Sequence, residues 1–367
     1  MTRFLGVVLT LLGWGLTLAF IGLALGFLLM PMWSGVALAL LAAVIINPIV
    51  VSRLPFIGQA RHKVLTSLAL VSVVSAVGLG GCSTDFKYKL AQMTEKSAVT
   101  AAEYAEAVKW YQQAADKGHA KSQFALGELY HKGEGVEKNA EQAWTWFKKA
   151  ADQGYGPAQN RIGMMYAAGD WVRADAAEAV VWYRKAAEGD DRDAQFNLAH
   201  MYAKGEGVAK DGVQALIWYR KAAEGGHAGA QYELAGLYDA GKSVPKDPQM
   251  ALNWYRKAAA SHADAQFKLG NVYTVGKLVK KDQAEAAKWY EKAANNGHAK
   301  AQYVMGLRYQ SGFGVTKDKA VAAKWYQKAA ANGYAEAQYR FGQLYQKGDG
   351  EVAARAVEEA KRAAAGH

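Results

Sequence analysis

The sequence repeats itself with a period of about 36 residues. A Trp-Tyr pair, once replaced by Trp-Phe, recurs at intervals of 36, 36, 36, 36, 35 and 36 residues, its tryptophans being Trp110, Trp146, Trp182, Trp218, Trp254, Trp289 and Trp325. Self-similarity at a fixed period of about 20–50 residues is typical of repeat arrays, in which each unit buries its apolar face against its neighbours. Such arrays usually present a binding surface. The sequence therefore predicts that the protein acts by binding, but it does not identify the partner.

Each repeat contains two amphipathic helical patterns. The first, helix A, ends in a tyrosine that follows a glutamine by seven residues, a large apolar residue by four and a glycine or alanine by three, as in Gln123, Leu126, Gly127 and Tyr130. A position with little or no side chain lets a neighbouring helix approach closely. The second pattern, helix B, carries the Trp-Tyr pair. It starts at residues of strong N-cap type, which are Asn139, Asp175, Asp211, Asp247, Asp282 and Asp318.

The charge of the chain is unevenly distributed. The formal net charge is +11, and residues 1–82 contain four basic residues and no acidic ones. Along the repeats the charges alternate in sign, which is typical of solvated helix faces. Binding to nucleic acid requires a basic stripe, which the repeats lack, so we expect no nucleic-acid partner. The only cysteine, Cys82, excludes an intrachain disulfide framework.

Three apolar runs occupy the first 82 residues. Residues 4–30 are long enough to cross a bilayer, which takes about 20 residues, and residues 36–51 and 64–81 follow. We expect two transmembrane helices within residues 1–63, a third helix or a signal over 64–82, a polar linker over 83–100 and the repeats over 101–367. Because basic residues favour the cytoplasmic side, the repeats are predicted to face the periplasm or the cell exterior.

The third apolar run ends in Leu79-Gly80-Gly81-Cys82 and follows Arg61-His62-Lys63. This pattern resembles a bacterial lipoprotein signal, which implies a lipid on Cys82. Such signals normally begin a chain, so either the mature protein starts at Cys82 or an uncleaved third helix holds the repeats. A third interpretation makes Cys82 an ordinary cysteine at a helix end. Under either attachment, the repeats are bound to the bacterial cell membrane.

The repeats follow the pattern A-Q-[FY]-x-L-G-x-x-Y-x-x-G-x-G-V, which is followed by K-D-x-x-x-A-x-x-W-Y-x-K-A-A-x-x-G. This pattern resembles the Sel-one-like repeat (SLR) family, which is related to tetratricopeptide repeats. The resemblance implies an all-α fold, a right-handed α/α solenoid of about seven helical hairpins. It also implies a scaffold or adaptor for protein complexes without enzymatic activity. Some cysteine-rich members are linked to β-lactam hydrolysis, so an envelope hydrolase is the alternative. No cysteine follows Cys82, which weakens that alternative.

Histidines recur at the turn from helix B to the next helix A: His119, His227, His262 and His298. They suggest a metal site, but stacked helices lie about 8–10 Å apart. Zinc holds its nitrogen ligands at about 2 Å, so one repeat cannot easily share an ion with the next. Tyr155 and Tyr334 take the same place in other repeats, which favours a packing role. We therefore expect neither a metal nor another cofactor.

The positions that vary between repeats lie five and two residues before the helix A tyrosine and one after it, on one helix face. Variation on a fixed frame is typical both of a recognition surface and of an unconstrained exposed face. In related solenoids helix A lines the concave side, so we predict a partner-binding stripe of Arg161, Met164, His200, Glu233, Asp239, Lys268, Val304, Leu307 and Arg340. If these residues are exposed, Leu307→Ser leaves the melting temperature unchanged. The irregular loop around Trp171 is the next candidate.

Overall fold

A computed structural model describes residues 83–346, and every regular element in that range is an α-helix. The helices are α1 (Thr84–Ser97), α2 (Ala101–Ala115), α3 (Ala120–Lys132), α4 (Ala140–Asp152), α5 (Gly156–Ala168), α6 (Ala176–Glu188), α7 (Arg192–Lys204), α8 (Gly212–Glu224), α9 (Ala228–Ala240), α10 (Pro248–Ala258), α11 (Ala263–Val275), α12 (Gln283–Asn295), α13 (Ala299–Ser311), α14 (Lys319–Ala331) and α15 (Ala335–Gln346). Odd-numbered helices carry the helix A pattern or occupy its place, and even-numbered helices are helices B. The solenoid prediction is confirmed.

The predicted membrane segments, residues 1–63 and 64–82 with Cys82, lie outside the described residues. Among the helices from α1 to α15, none combines the length and the apolar content needed to span a bilayer. The described chain divides into two compact units. The first contains α1, α2 and residues 134–136, and the second contains α3 to α15 with the remaining loops.

The predicted polar linker over residues 83–100 is wrong, because α1 fills most of it. The Ser83 side chain caps this helix by accepting a hydrogen bond from the Phe86 backbone N–H at 3.3 Å. The α1 carboxylate Glu95 accepts a hydrogen bond from the Tyr111 hydroxyl of α2 at 2.6 Å. Only Leu90 and Ala91 of α1 are buried, so its apolar face is too narrow for hydrophobic periodicity to reveal. The array therefore begins one helix earlier than predicted.

The predicted N-cap residues of helices B are confirmed. Helix B of each hairpin follows its N-cap residue, and the Asp282 carboxylate, for example, accepts from the Glu285 backbone N–H at 2.9 Å. Such a bond satisfies one of the free N–H groups of the first turn. Helices A end at glycines in the left-handed region, with φ between 71° and 80°, at Gly169, Gly205, Gly241, Gly276 and Gly312.

The second aromatic residue of the Trp-Tyr pair, rather than the tryptophan, forms the deepest part of the core. Phe147 and Tyr326 have no exposed surface, whereas Trp218 is half-buried between two adjacent clusters. A lysine three residues after the tryptophan covers the indole in six hairpins, with Nζ 3.9–4.7 Å from a ring centroid: Lys149, Lys185, Lys221, Lys257, Lys292 and Lys328. Trp146, Trp182 and Trp325 are buried and the other four tryptophans of the Trp-Tyr pairs are half-buried, so the indole rings pack between hairpins with their lysine-covered faces outward.

The repeated glutamine of helix A joins each helix to the preceding helix B. The Gln302 amide donates to the Ala294 carbonyl at 2.9 Å, and its oxygen accepts from the Asn332 amide at 2.8 Å. The Gln231 amide donates in the same way to the Ala223 carbonyl at 3.0 Å. These carbonyls belong to the last turn of helix B, where no intrahelical donor remains. The glutamine is therefore a buried polar group whose hydrogen bonds are made within the frame.

Candidate functional site

Charge pairs between consecutive helices A hold two of the predicted stripe cations. Arg161 Nη2 of α5 lies 2.5 Å from Glu128 Oε1 of α3, and Lys268 Nζ of α11 lies 3.5 Å from Asp239 Oδ2 of α9. The Arg161 guanidinium also lies 5.7 Å from the Phe147 ring centroid. Lys268 and Asp239 are thus brought together as predicted, but both pairs connect repeats of the array itself. Their charges are partly neutralised before any partner binds.

Val304 and Leu307 belong to the core rather than to an exposed surface. Val304 packs against the cluster that contains Tyr290 and Met305, and Leu307 packs against the cluster around Tyr326. The premise that Leu307 is exposed is therefore wrong, and we now expect Leu307→Ser to lower the melting temperature. The helix A face that varies between repeats is half-buried at these positions, because the aromatic residue of helix B reaches under it.

Three further stripe residues lie beside tyrosines. The His200 ring makes an edge contact with Phe196, at 5.6 Å between centroids, and another with Tyr219 at 6.3 Å. Burial raises the pKa of the Tyr219 hydroxyl, and the negative charge of Glu233 raises it further. A hydrogen bond with the Tyr303 side chain raises the pKa of Arg340. The structure therefore places His200 and Glu233 near one tyrosine, Tyr219, and Arg340 near another, Tyr303.

Met164 is the stripe residue that presents an exposed apolar side chain, with 41% of its surface accessible. Ala168 lies one turn further along α5 and is also exposed, and Trp171 follows in the loop with 52% of its surface accessible. We call Met164, Ala168 and Trp171 the Trp171 ridge. In the next repeat the corresponding positions are His200, Lys204 and Gly207, so the apolar character belongs to this repeat.

Trp171 occupies a position that favours glycine. In the other described loops the equivalent residues are Gly135, Gly207, Ser243, Leu278 and Gly314. The three glycines have positive φ and lie against the first turn of the preceding helix B, and Ser243 also has a positive φ of 61°. Trp171 itself has φ 67°, in the left-handed region that side chains disfavour. Strained backbone of this kind costs of order 1–3 kcal/mol and clusters at binding and catalytic sites. A half-exposed tryptophan at such a position makes Trp171 a candidate binding residue, which the sequence shows as a departure from Gly-x-Gly-Val.

The turn histidines stack on aromatic residues of the preceding helix A. The His227 ring lies 4.4 Å from that of Phe196 at an interplanar angle of 24°, and the His298 ring lies 4.6 Å from that of Phe267 at 17°. His227 Nδ1 accepts from the Ala230 backbone N–H at 3.0 Å and thereby caps α9. The predicted packing role is confirmed. Within residues 83–346, no three His, Cys, Asp or Glu side chains are placed to share a metal ion.

The Sel1 repeat model matches eight consecutive segments of the chain, at residues 85–119, 120–155, 156–191, 192–227, 228–261, 263–298, 299–334 and 335–360. The chain belongs to the Sel1 repeat family. The predicted resemblance is thus confirmed, and the predicted number of about seven hairpins is corrected to eight repeats. The additional repeat is the one that begins with α1, where the Trp-Tyr pair is present but the helix A signature is missing.

Two solved Sel1 repeat structures resemble this chain. The first is c5321, a protective antigen of uropathogenic Escherichia coli, at 32% identity and a TM-score of 0.59 over 81% of this chain and 64% of that protein. The second is a Sel1 repeat protein from Oxalobacter formigenes, at 33% identity and a TM-score of 0.62 over 66% of this chain and 99% of that one. The chain thus covers just under two thirds of the E. coli protein. No curated protein matches the chain.

Sel1 repeat proteins are in general helical scaffolds that bind protein partners, and the fold agrees with that activity.

An open recess lies where the fifth Trp-Tyr repeat lacks one residue and α10 is shortened. Its lining contains cationic, amide, alanine and tryptophan side chains but no carboxylate, hydroxyl, thiol or imidazole: Arg256, Ala259, Ala260, Gln266, Trp289, Lys292, Asn295 and Asn296. This recess offers no nucleophile paired with a base, which a hydrolase of the alternative kind requires.

Proposed function

We propose that this Sel1 repeat protein is a membrane-tethered scaffold outside the cytoplasm, and that it binds a protein partner through the Trp171 ridge. The observation that carries the proposal is Trp171, a half-exposed tryptophan with φ 67° in a loop position where three of the other described repeats have glycine and none has an aromatic residue. Tryptophan is enriched among the residues that dominate protein interfaces, typically at about 2 kcal/mol or more each. Its retention at a strained position is explained by a gain in binding.

The ridge also has the composition of an interface centre. Met164 is a flexible apolar side chain, and Ala168 next to it on α5 is exposed and small. Charged groups flank this apolar centre: the Arg161–Glu128 pair lies on one side, and Asp170 Oδ2 lies 3.7 Å from His131 Nδ1 on the other. An apolar centre with a polar rim is the usual arrangement of a protein interface.

The membrane attachment rests on the sequence of residues 1–82. Three apolar runs with basic and no acidic residues support a bilayer anchor with the repeats outside the cytoplasm. The relative c5321 is named as a protective antigen, and an extracytoplasmic array agrees with that name. We propose either a lipid on Cys82 or an uncleaved helix over 64–82 as the anchor of the array.

Site-specific photocrosslinking in cells tests the proposed interface. A photoreactive amino acid at Met164 is expected to give a discrete protein adduct, because that side chain lies at the ridge. The matched control is Val213 on α8, another exposed aliphatic residue, with 61% of its surface accessible. Adducts that are identical at both positions, or that survive Trp171→Gly at full yield, would place partner binding elsewhere.

Metabolic labelling tests the anchor. If Cys82 carries a lipid, a fatty-acid analogue labels the protein and Cys82→Ser abolishes the label. A membrane-bound wild type without label assigns the attachment to an uncleaved helix. Wild-type protein in the fraction that does not float with membranes would contradict both forms of the anchor while leaving the crosslinking result at Met164 unaffected.

A further inference from the structure

Three consecutive loops on one edge of the array are rich in lysine. They join α9 to α10 (241–247), α11 to α12 (276–282) and α13 to α14 (312–318), and they contain six exposed lysines: Lys242, Lys246, Lys277, Lys280, Lys281 and Lys317. Their acidic residues are three aspartates, each of which caps helix B and accepts a backbone N–H. We call these three loops the basic edge. The two preceding loops, 169–175 and 205–211, hold Arg173 and Lys210 against four acidic residues.

Apolar side chains are exposed among these lysines. Val275 has 67% of its surface accessible, Leu278 has 37% and Phe313 has 49%. Val275 ends α11 and Leu278 lies in the loop that follows, at the position where Gly314 stands in the next loop. Exposed large apolar residues are ordinary when they are scattered singly, but a group of them beside cationic side chains indicates a binding surface.

Arg308 holds the last two loops of the basic edge next to each other. Its Nη1 donates to the Gln283 carbonyl at 3.2 Å and to the Phe313 carbonyl at 2.9 Å, and its Nη2 donates to Thr274 Oγ1 at 2.8 Å. Gln283 directly follows the loop 276–282, and Phe313 belongs to the next loop. Gly314 rests against the Gln283 backbone without room for a Cβ. The two loops therefore form one continuous surface with Leu278, Phe313 and their lysines.

We propose that the basic edge docks on an anionic phospholipid surface, with Leu278 and Phe313 entering the headgroup region. This inference rests on the proposed membrane attachment, which keeps the array close to a bilayer. Lysines attract anionic lipids within a Debye length, and neighbouring apolar side chains add burial at the interface. An acidic protein would also attract the lysines. The lipid is favoured because residues 1–82 already supply three apolar runs with no acidic residue.

Photoactivatable phosphatidylglycerol tests the docking with the full-length chain in proteoliposomes. Vesicles of phosphatidylcholine with about one third phosphatidylglycerol should place lipid adducts on peptides covering 275–282 and 312–317. The loop 205–211 serves as the internal control and should remain unlabelled. At about 1 M salt, where the screening length is about 3 Å, the adducts on the basic edge should fall at least tenfold.

Matched variants separate charge from loop identity. Lys277→Ser combined with Lys280→Ser and Lys281→Ser should reduce labelling of the basic edge at least fivefold, whereas Lys204→Ser with Lys210→Ser should leave it unchanged. Equal labelling of the loop 205–211 and the basic edge would overturn the docking. Labelling or protection of the edge in native membranes but not in pure lipid vesicles would also overturn it, because the occupant would then be a protein.

The same experiment distinguishes the docking from the anchor. Lipid adducts on residues 1–82 without adducts on the basic edge would leave the proposed attachment intact and contradict the docking. Failure of the chain to float with vesicles, together with absent adducts on residues 1–82, would contradict the attachment itself. Labelling at both regions, with the salt and lysine dependence given above, is the result that supports both proposals.

Discussion

The ring of Tyr326 occupies the space that a side chain on Gly306 would need, since a Cβ on Gly306 would lie 2.5 Å from Tyr326 Cδ1. Tyr326 is fully buried, so its ring cannot move outward to make room. We expect Gly306→Ala to lower the free energy of unfolding by about 1–3 kcal/mol, the usual cost of overpacking a core. Urea denaturation followed by circular dichroism measures the change.

Gly236 provides the control for this prediction. It lies inside another helix A, α9, and the nearest atom to a Cβ there would be Tyr255 Oη at 4.0 Å. Gly236→Ala should therefore be neutral or stabilising by up to about 1 kcal/mol, because alanine is the better helix former. Equal destabilisation by both variants would mean that the close approach of Tyr326 is not what requires glycine at residue 306.

His227 is expected to make the stability of the array depend on pH. Burial lowers the pKa of His227, against the opposing effect of Asp193, with Arg192 and His262 lowering it further. Its Nδ1 accepts a hydrogen bond from the Ala230 N–H, which requires the neutral ring. Since the folded pKa lies below the unfolded one, this contribution is complete above about pH 6.5 and is lost as pH falls through the folded value.

Two variants separate the contributions of His227. His227→Asn retains an N-cap acceptor without the stacked ring, so the unfolding free energy should lose part of its dependence on pH between about 5 and 7. His227→Tyr restores a ring, as at Tyr155, which makes an edge contact with Phe124 at 5.6 Å without a side-chain cap. Melting curves at several pH values provide the measurement. An unchanged pH profile in both variants would show that His227 does not titrate with folding.

Leu307 and Met164 should respond differently to replacement by serine. Leu307 packs against the cluster around Tyr326, so Leu307→Ser should cost about 2 kcal/mol of unfolding free energy. Met164 is exposed, and Met164→Ser should change stability by no more than about 0.5 kcal/mol. Thermal unfolding of both variants measures the difference. Equal melting temperatures would contradict the assignment of Leu307 to the core.

Trp171→Gly should remove partner binding without lowering stability. The strain of a left-handed residue, about 1–2 kcal/mol, is relieved by glycine and offsets the contacts of the half-exposed ring. Partner capture from membranes should fall at least tenfold. Trp146→Ala is the control for stability: Trp146 is buried, and its loss should cost about 3–5 kcal/mol. A large loss of stability from Trp171→Gly would make Trp171 a structural residue.

The repeated frame was predictable because each of its positions has one physical requirement. Asp282 must cap a helix, Gln302 must bond a helix end, and Gly306 must leave space for Tyr326. Identical requirements in every repeat produce a period that the sequence displays. Helix α1 was not predictable in this way, since its contacts, such as that between Glu95 and Tyr111, are polar and specific to one hairpin.

The contacts of the predicted stripe could be read from the sequence only in part. Variation between repeats selects a helix A face, but it does not reveal which varying residues bond to the neighbouring repeat. Arg161 and Lys268 pair with carboxylates of the preceding helix A, and Leu307 lies against the core, and none of these contacts follows from spacing. Trp171 could be identified because it departs from a loop pattern in which three of the other described repeats have glycine. Such a departure is more informative than a position that varies in every repeat.

The contacts that join successive repeats connect residues that are close to each other in the sequence. The Gln302 and Asn332 amides are 30 residues apart, His227 and Asp193 are 34 apart, and Asn160 and Asn197 are 37 apart. A chain built from such contacts has a low contact order, so its folding can begin at any hairpin and extend to the next. A newly made chain therefore need not be complete before it folds. Each repeat can acquire its structure as soon as the neighbouring one has left the machinery that synthesises or exports it.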